Sequence, residues 1–183
     1  MISRTEFNEA REQAAKMIVE SGIKLTQKEI DIMDVADFGM SNLKKEGAQI
    51  VTFFNTSRVS AKVIALFPFQ TEPEHWHTAV GEDPGKEETI RVVDGTVYFY
   101  IPGENTMRCG FVPEGKDGSY TVRNEIIMKP GDQITLQPGI KHWFQAGKKG
   151  AVMYSFSSCA RDTMDLFTDK SIVRTTVIVD KRV

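Results

Sequence analysis

Histidine is scarce in this chain, with three in 183 residues, and cysteine is scarcer, with two. Two distant cysteines, Cys109 and Cys159, exclude a disulfide framework or a cysteine-rich metal site, and are expected to stay reduced in a cytoplasmic protein. Long apolar runs are missing: VIALF at 63–67 falls far short of the roughly 20 residues needed to span a bilayer. The opening MISRTEFNEAREQ has no apolar signal core, so export by that route is not expected. No basic block stands out. Twenty-three Lys and Arg face 25 Asp and Glu, a formal charge of −2, which makes nucleic acid a poor partner. What is present is ordinary, 40% hydrophobic and 26% charged, in a length that can build one core without disulfides.

Two helices are predicted first. Ser3 and Glu6 form a capping-box pair, and Phe7, Ala10, Ala14, Met17 and Ile18 come after it at helical spacing. Thr26 and Glu29 repeat the start signal before Ile30, Met33 and Val35, with Gly39 as the expected stop. Residues 1–45 thus read as a helical arm packed on the rest of the chain. From 46 to 183 the pattern is that of strands, at 50–55, 61–67, 74–78, 87–93, 96–101, 119–128, 132–137, 142–146 and 150–158, with a last one at 171–179. Asp94-Gly95, Pro102-Gly103, Asp117-Gly118, Pro130-Gly131 and Pro138-Gly139 are turn signals. Many short strands so punctuated predict a mainly β fold, a sandwich or a small closed barrel.

The scarce histidines are not scattered. His75 and His77 sit at i and i+2, so on a strand both rings share one face, about 7 Å apart along the backbone. Neutral imidazole is a good ligand for a divalent transition ion. Glu88 lies across the polar loop GEDPGKE, and His142 comes after a Pro-Gly turn.

These residues carry a resemblance. His75-x-His77, ten residues, Glu88, six residues, Gly95 resembles the first cupin motif with a lengthened loop. Gly131, six residues, Pro138-Gly139, two residues, His142 resembles the second. The resemblance implies a cupin β-barrel, or jelly roll, with one metal ion inside. FPFQTEPEHWH at 67–77, GKEETIR at 85–91, TVRNEIIMKPG at 121–131, IKHWFQAGKKGAV at 140–152 and DLFTD at 165–169 resemble the bacterial D-lyxose isomerase family. That likeness implies His75, His77, Glu88 and His142 as metal ligands and manganese as the ion. It also implies interconversion of D-lyxose and D-xylulose, with D-mannose and D-fructose as further substrates. After DLFTD this chain departs from the family pattern, continuing KSIVRTTVIVDKRV.

The chemistry suits the ligands. Three imidazoles and a carboxylate leave two positions of an octahedral ion for O1 and O2 of an open-chain sugar, and the ion stabilises an enediolate. Manganese, iron, cobalt, nickel and zinc are all admissible. Lys86 shares the strand face of Glu88, and Glu125 lies on one of two alternating faces over 120–125; these are the expected acid–base candidates. Lys62, Gln70 and Asp169 are expected at the substrate. Glu74 and Trp76 should face away from the metal, and one of Trp143 and Phe144 could line the pocket. The same ligands would serve an iron dioxygenase, and a non-catalytic sugar-binding cupin is a third reading. A homodimer of this barrel is expected, since exposed sheet edges need covering.

Overall fold

The computed structural model describes residues 1–180. In chain order the elements are β1 (Ile2–Ser3), α1 (Arg4–Glu20), α2 (Gln27–Asp31), β2 (Asp34–Ala36), β3 (Ala48–Asn55), β4 (Val59–Leu66) and β5 (Thr71–Trp76). Then come β6 (Glu88–Ile101), β7 (Asn124–Met128), β8 (Gln133–Leu136), β9 (His142–Ser158), β10 (Leu166–Phe167) and β11 (Ile178–Val179). The fold is mainly β with helices at the N-terminus, as expected.

Two long strands organise the sheet. β9 pairs antiparallel with β6 along most of its length. Its first half is also bonded to β5, and its second half to β4. β3 and β2 extend the sheet from β4, while β7 and β8 extend it from β6. Each long strand therefore serves two parts of one curled sheet, and the inner faces meet around a shared core. Ile50, Ile64, Leu66, Ile90, Val97, Phe99, Phe144 and Met153 fill it.

A second core explains the continuous run VIALF. On β4, Ile64 and Leu66 face inward, while Val63 and Ala65 face outward beneath α1. There they meet Ala10, Ala14 and Ile18, which are 5%, 0% and 0% exposed. A strand covered on both faces reads as unbroken apolar sequence. Burying Ile18 alone contributes about 2–3 kcal/mol.

The Ser3 cap is present, its side chain accepting from the Glu6 N–H, and Thr26 with Glu29 forms a complete capping box. Several boundaries differ from the sequence reading. The second helix stops at Asp31, and Val35 lies in β2 rather than on a helix. Gly39 instead serves a tight turn with φ +72, between Phe38 at +51 and Ser41 at +54. The Asp37 carboxylate holds that turn by accepting from the Gly39 and Ser41 N–H groups and the chain's amino terminus. Asp94-Gly95 does not turn the chain: the two strands expected around it are one strand, β6, with bulges on either side. The expected strands at 142–146 and 150–158 likewise fuse into β9. The strand expected over 119–128 begins only at Asn124, and that over 171–179 shrinks to β11, which pairs parallel with β1.

Candidate active site

β5 and β9 run antiparallel, with His75 opposite His142. This registry, plus the i, i+2 spacing, draws the three rings together at centroid separations of 4.2, 5.1 and 5.2 Å. One ring nitrogen from each lies within 4.8 Å of the others, and all three residues are buried. His75 Nδ1 is anchored to the Pro73 carbonyl at 2.8 Å, and His142 Nδ1 to the Ile140 carbonyl at 2.9 Å. A carbonyl only accepts, so each Nδ1 carries the proton and each Nε2 keeps its lone pair. His77 Nδ1 meets Asp165 Oδ1 at 2.7 Å.

Glu88 closes the group. Its Oε1 accepts from Lys86 Nζ at 3.0 Å and from the Ser155 hydroxyl. Its Oε2 faces His77 Nε2 at 3.0 Å and His142 Nε2 at 4.0 Å. The electrostatics keep two rings neutral. Burial, with the neighbouring rings, pulls His75 well below the ordinary histidine range, and burial and His77 bring His142 to about 3. Burial opposes charge on His77 too, but Asp165 and Glu88 outweigh it and raise the ring. Burial would raise Glu88, yet Lys86 and His77 hold it well below the carboxylate range.

These donors fit a divalent ion. His142 Nε2 is closed to water and has no hydrogen-bond partner among the described residues, which leaves a buried lone pair to be satisfied. Two neutral imidazoles, His77 and an ionised carboxylate are ligands for first-row transition ions, each ring oriented from behind by an oxygen.

His75 and Glu88 of this group line a small cavity. Lys62, Glu72, Lys86, Asp162 and Arg174 supply its polar lining, and Ile50, Ile64, Phe144 and Phe167 its apolar lining. Lys62 Nζ donates to Asp162, and Lys86 Nζ lies 3.9 Å from the same carboxylate. Burial would raise Asp162, but Lys62 and Lys86 keep it ionised. Burial would depress Lys86, but Glu88, Asp165 and Asp162 raise it instead.

A model of the D-lyxose isomerase family matches residues 3–182. The chain belongs to that family. It is accordingly an isomerase. It is 49% identical over 175 residues to a D-lyxose ketol-isomerase of Cohnella laeviribosi, covering 95% of this chain and 96% of that one. It is 41% identical to a D-lyxose/D-mannose isomerase of Thermosediminibacter oceani, over 98% of this chain and all of the relative. The fold is shared with L-ribose isomerase of Cellulomonas parahominis, at a TM-score of 0.83 and 16% identity over 97% of this chain and 98% of that chain.

Of the residues singled out from sequence in this family member, His75, Glu88, Lys86 and Lys62 line the cavity, and His77 and His142 cluster with His75 and Glu88. The other three lie elsewhere. Gln70 is wholly buried, bonding the Phe67 N–H and the Leu43 carbonyl. Glu125 is spoken for by the Tyr100 hydroxyl and the N–H groups of Arg108, Cys109 and Gly110. Asp169 pairs with Lys116 at 2.6 Å. Glu74 faces away from the histidines, its carboxylate accepting from Thr121, Val122 and Thr168. Trp76 lies under Lys141 and Lys170. Trp143 is buried against Tyr100, while Phe144 reaches the cavity. Sequence reasoning misses Glu72, Asp162, Asp165 and Arg174. Asp162 opens a single 3₁₀ turn and Arg174 lies outside any helix or strand, so no periodicity points either side chain anywhere. Asp165 lies in the stretch DLFTD, but its contact with His77 spans 88 positions.

Proposed function

We propose that this protein interconverts D-lyxose and D-xylulose, and D-mannose and D-fructose more slowly, with one divalent ion, Mn²⁺, held by His75, His77, Glu88 and His142. The observation that carries this reading is the convergence of three imidazole nitrogens and Glu88 Oε2 beside a cavity lined by buried lysines and acids. The names of the two relatives support the choice of sugar.

When bound, the ion supplies Lewis-acid stabilisation of the negative charge that develops on the sugar oxygens. The protein does the rest. Isomerisation moves a proton from C2 to C1 and the hydroxyl proton from O2 to O1, which needs a base that is ionised and a cation that stays charged. Asp162 is held ionised by Lys62 and Lys86, so it is suited to accept the C2 proton and return it to C1. Lys86 remains an ammonium and stabilises the enediolate as its charge grows. Lys62 holds Asp162 in place. Ile50, Ile64, Ile90 and Phe144 keep bulk water from the intermediate. Gln70, Glu125 and Asp169 act on the shape of the pocket through the loops they pin. We assign the active form to a homodimer in a reducing, cytoplasmic setting; the free state of both cysteines agrees with the latter.

The test is ketose formation from D-lyxose, D-mannose and D-ribose by the Mn²⁺-loaded protein. D-lyxose should give the highest kcat/KM and D-mannose the next. Asp162→Asn should lower kcat on D-lyxose by about 100-fold or more while leaving the metal content unchanged. Inactivity on all three sugars with metal bound would refute the reading.

A further inference from the structure

We propose that Glu72 is the residue that reads the sugar's configuration beyond the reacting carbons, by accepting a hydrogen bond from the C3 or C4 hydroxyl of the open chain. The inference rests on the isomerase reading and adds to it a residue outside the metal set.

The geometry comes from a bulge. On β9, His142 and Phe144 are two apart and share the inner face. Their partners on β5 are His75 and Glu72, which are three apart. One extra residue on β5 therefore turns Glu72 to the side of His75, against the ordinary two-residue alternation. Glu72 lines the cavity with His75, Lys86 and Glu88. Three residues of strand carry it about 10 Å along the backbone from His75, beyond where O1 and O2 would meet the histidines.

Glu72 also differs from the other acids that line the cavity. Glu88, Asp162 and Asp165 are each engaged by protein partners. Glu72 Oε2 is closed to water and has no hydrogen-bond partner among the described residues. Such an acceptor, aimed into a polar cavity, is satisfied by a ligand hydroxyl. Burial and the Glu88 charge raise its carboxyl to about 7, so the pocket favours a donor that relieves both. A sugar hydroxyl does so without adding charge.

The experiment uses the Mn²⁺-loaded full chain with D-lyxose, 3-deoxy-D-lyxose and 4-deoxy-D-lyxose, in wild type, Glu72→Gln and Glu72→Ala. Metal content is measured on every sample. Wild type should lose about 100-fold in kcat/KM on one deoxy sugar, because that analogue leaves the acceptor unpaired. Glu72→Ala should fall to a similar level on D-lyxose, with metal content unchanged, and should distinguish D-lyxose from that deoxy sugar by less than about threefold. Glu72→Gln keeps an acceptor and the shape, and should retain part of the discrimination. An active wild type whose Glu72→Ala and Glu72→Gln variants discriminate as fully as it does would overturn the proposal alone. Wild type inert to D-lyxose, D-mannose and D-ribose would overturn the substrate reading and this proposal with it.

Discussion

Asp165 stands directly behind His77, one of the proposed metal ligands. Its carboxylate fixes the His77 ring through Nδ1 at 2.7 Å, and such contacts raise ligand basicity. Asp165→Asn should weaken Mn²⁺ affinity by about 10–100-fold, read by chelator competition, with the fold intact by circular dichroism. Unchanged affinity would remove Asp165 from the metal site's support. Lys86→Met should leave the metal in place and lower kcat by about 100-fold or more; an equal loss of bound metal would make it a structural partner of Glu88 instead. At this scale the sequence is a partial guide. The nearness of His75 and His77 is legible from strand spacing, and Glu88 and His142 join them through the likeness to two cupin motifs. Glu72 is hidden because a bulge breaks the alternation that sequence reading assumes. Lys62 is visible as an odd lysine on an apolar face, but its partner Asp162 sits 100 positions away in a single 3₁₀ turn that no local pattern points to.

Among the elements, β6 and β9 each read as two strands, and in β6 the reason is that Asp94-Gly95 looks like a turn. Gly95 takes φ +81, and a Cβ there would collide with the Gly150 carbonyl. The glycine thus allows two strands to pass closely at a bulge instead of reversing the chain. Gly95→Ala should lower stability by about 2 kcal/mol or more, from both strain and collision. Gly131→Ala, at φ +96 with open space around it, should incur the strain alone, so its denaturant midpoint should fall less. Equal losses in the two variants would contradict the close approach. The second helix shows the opposite limit: its start is legible from a complete capping box, but its end is set by the pairing of Asp34–Ala36 with β3, which local helical spacing does not reveal.

For the whole molecule, the ends of the chain and the long loop before β7 close around the barrel. Val173 N–H donates to the Phe38 carbonyl, Arg174 reaches Asp34, and β11 lies along β1. The Lys116–Asp169 pair ties the loop to this wrapping segment. Burial would raise Asp169, but Lys116 and Ser171 bring it down to about 2. A carboxyl lowered in the folded state adds stability above its unfolded value near about 4, and that stability is lost as pH falls toward about 2. The wild-type denaturant midpoint should therefore drop more steeply than that of Asp169→Asn between about pH 5 and 2; parallel curves would show that the pair contributes nothing. On the outer sheet face, Phe54 and Phe156 flank Ala61 in register and are 50% and 43% exposed, with Val59 at 50% nearby. This apolar strip is where we expect the homodimer to form. Light scattering at micromolar concentration should give twice the 20.6 kDa chain mass, and Phe156→Glu should yield the monomer. A wild-type monomer would remove that expectation.

We propose that one metal ion at the three histidines makes this chain an isomerase. The most direct test is titration of metal-stripped protein with Mn²⁺ while following D-xylulose formation from D-lyxose. Activity should rise from baseline and break at one ion per chain, and His142→Ala should neither bind that ion tightly nor recover activity. Full activity in the stripped protein, or in His142→Ala, would contradict the claim.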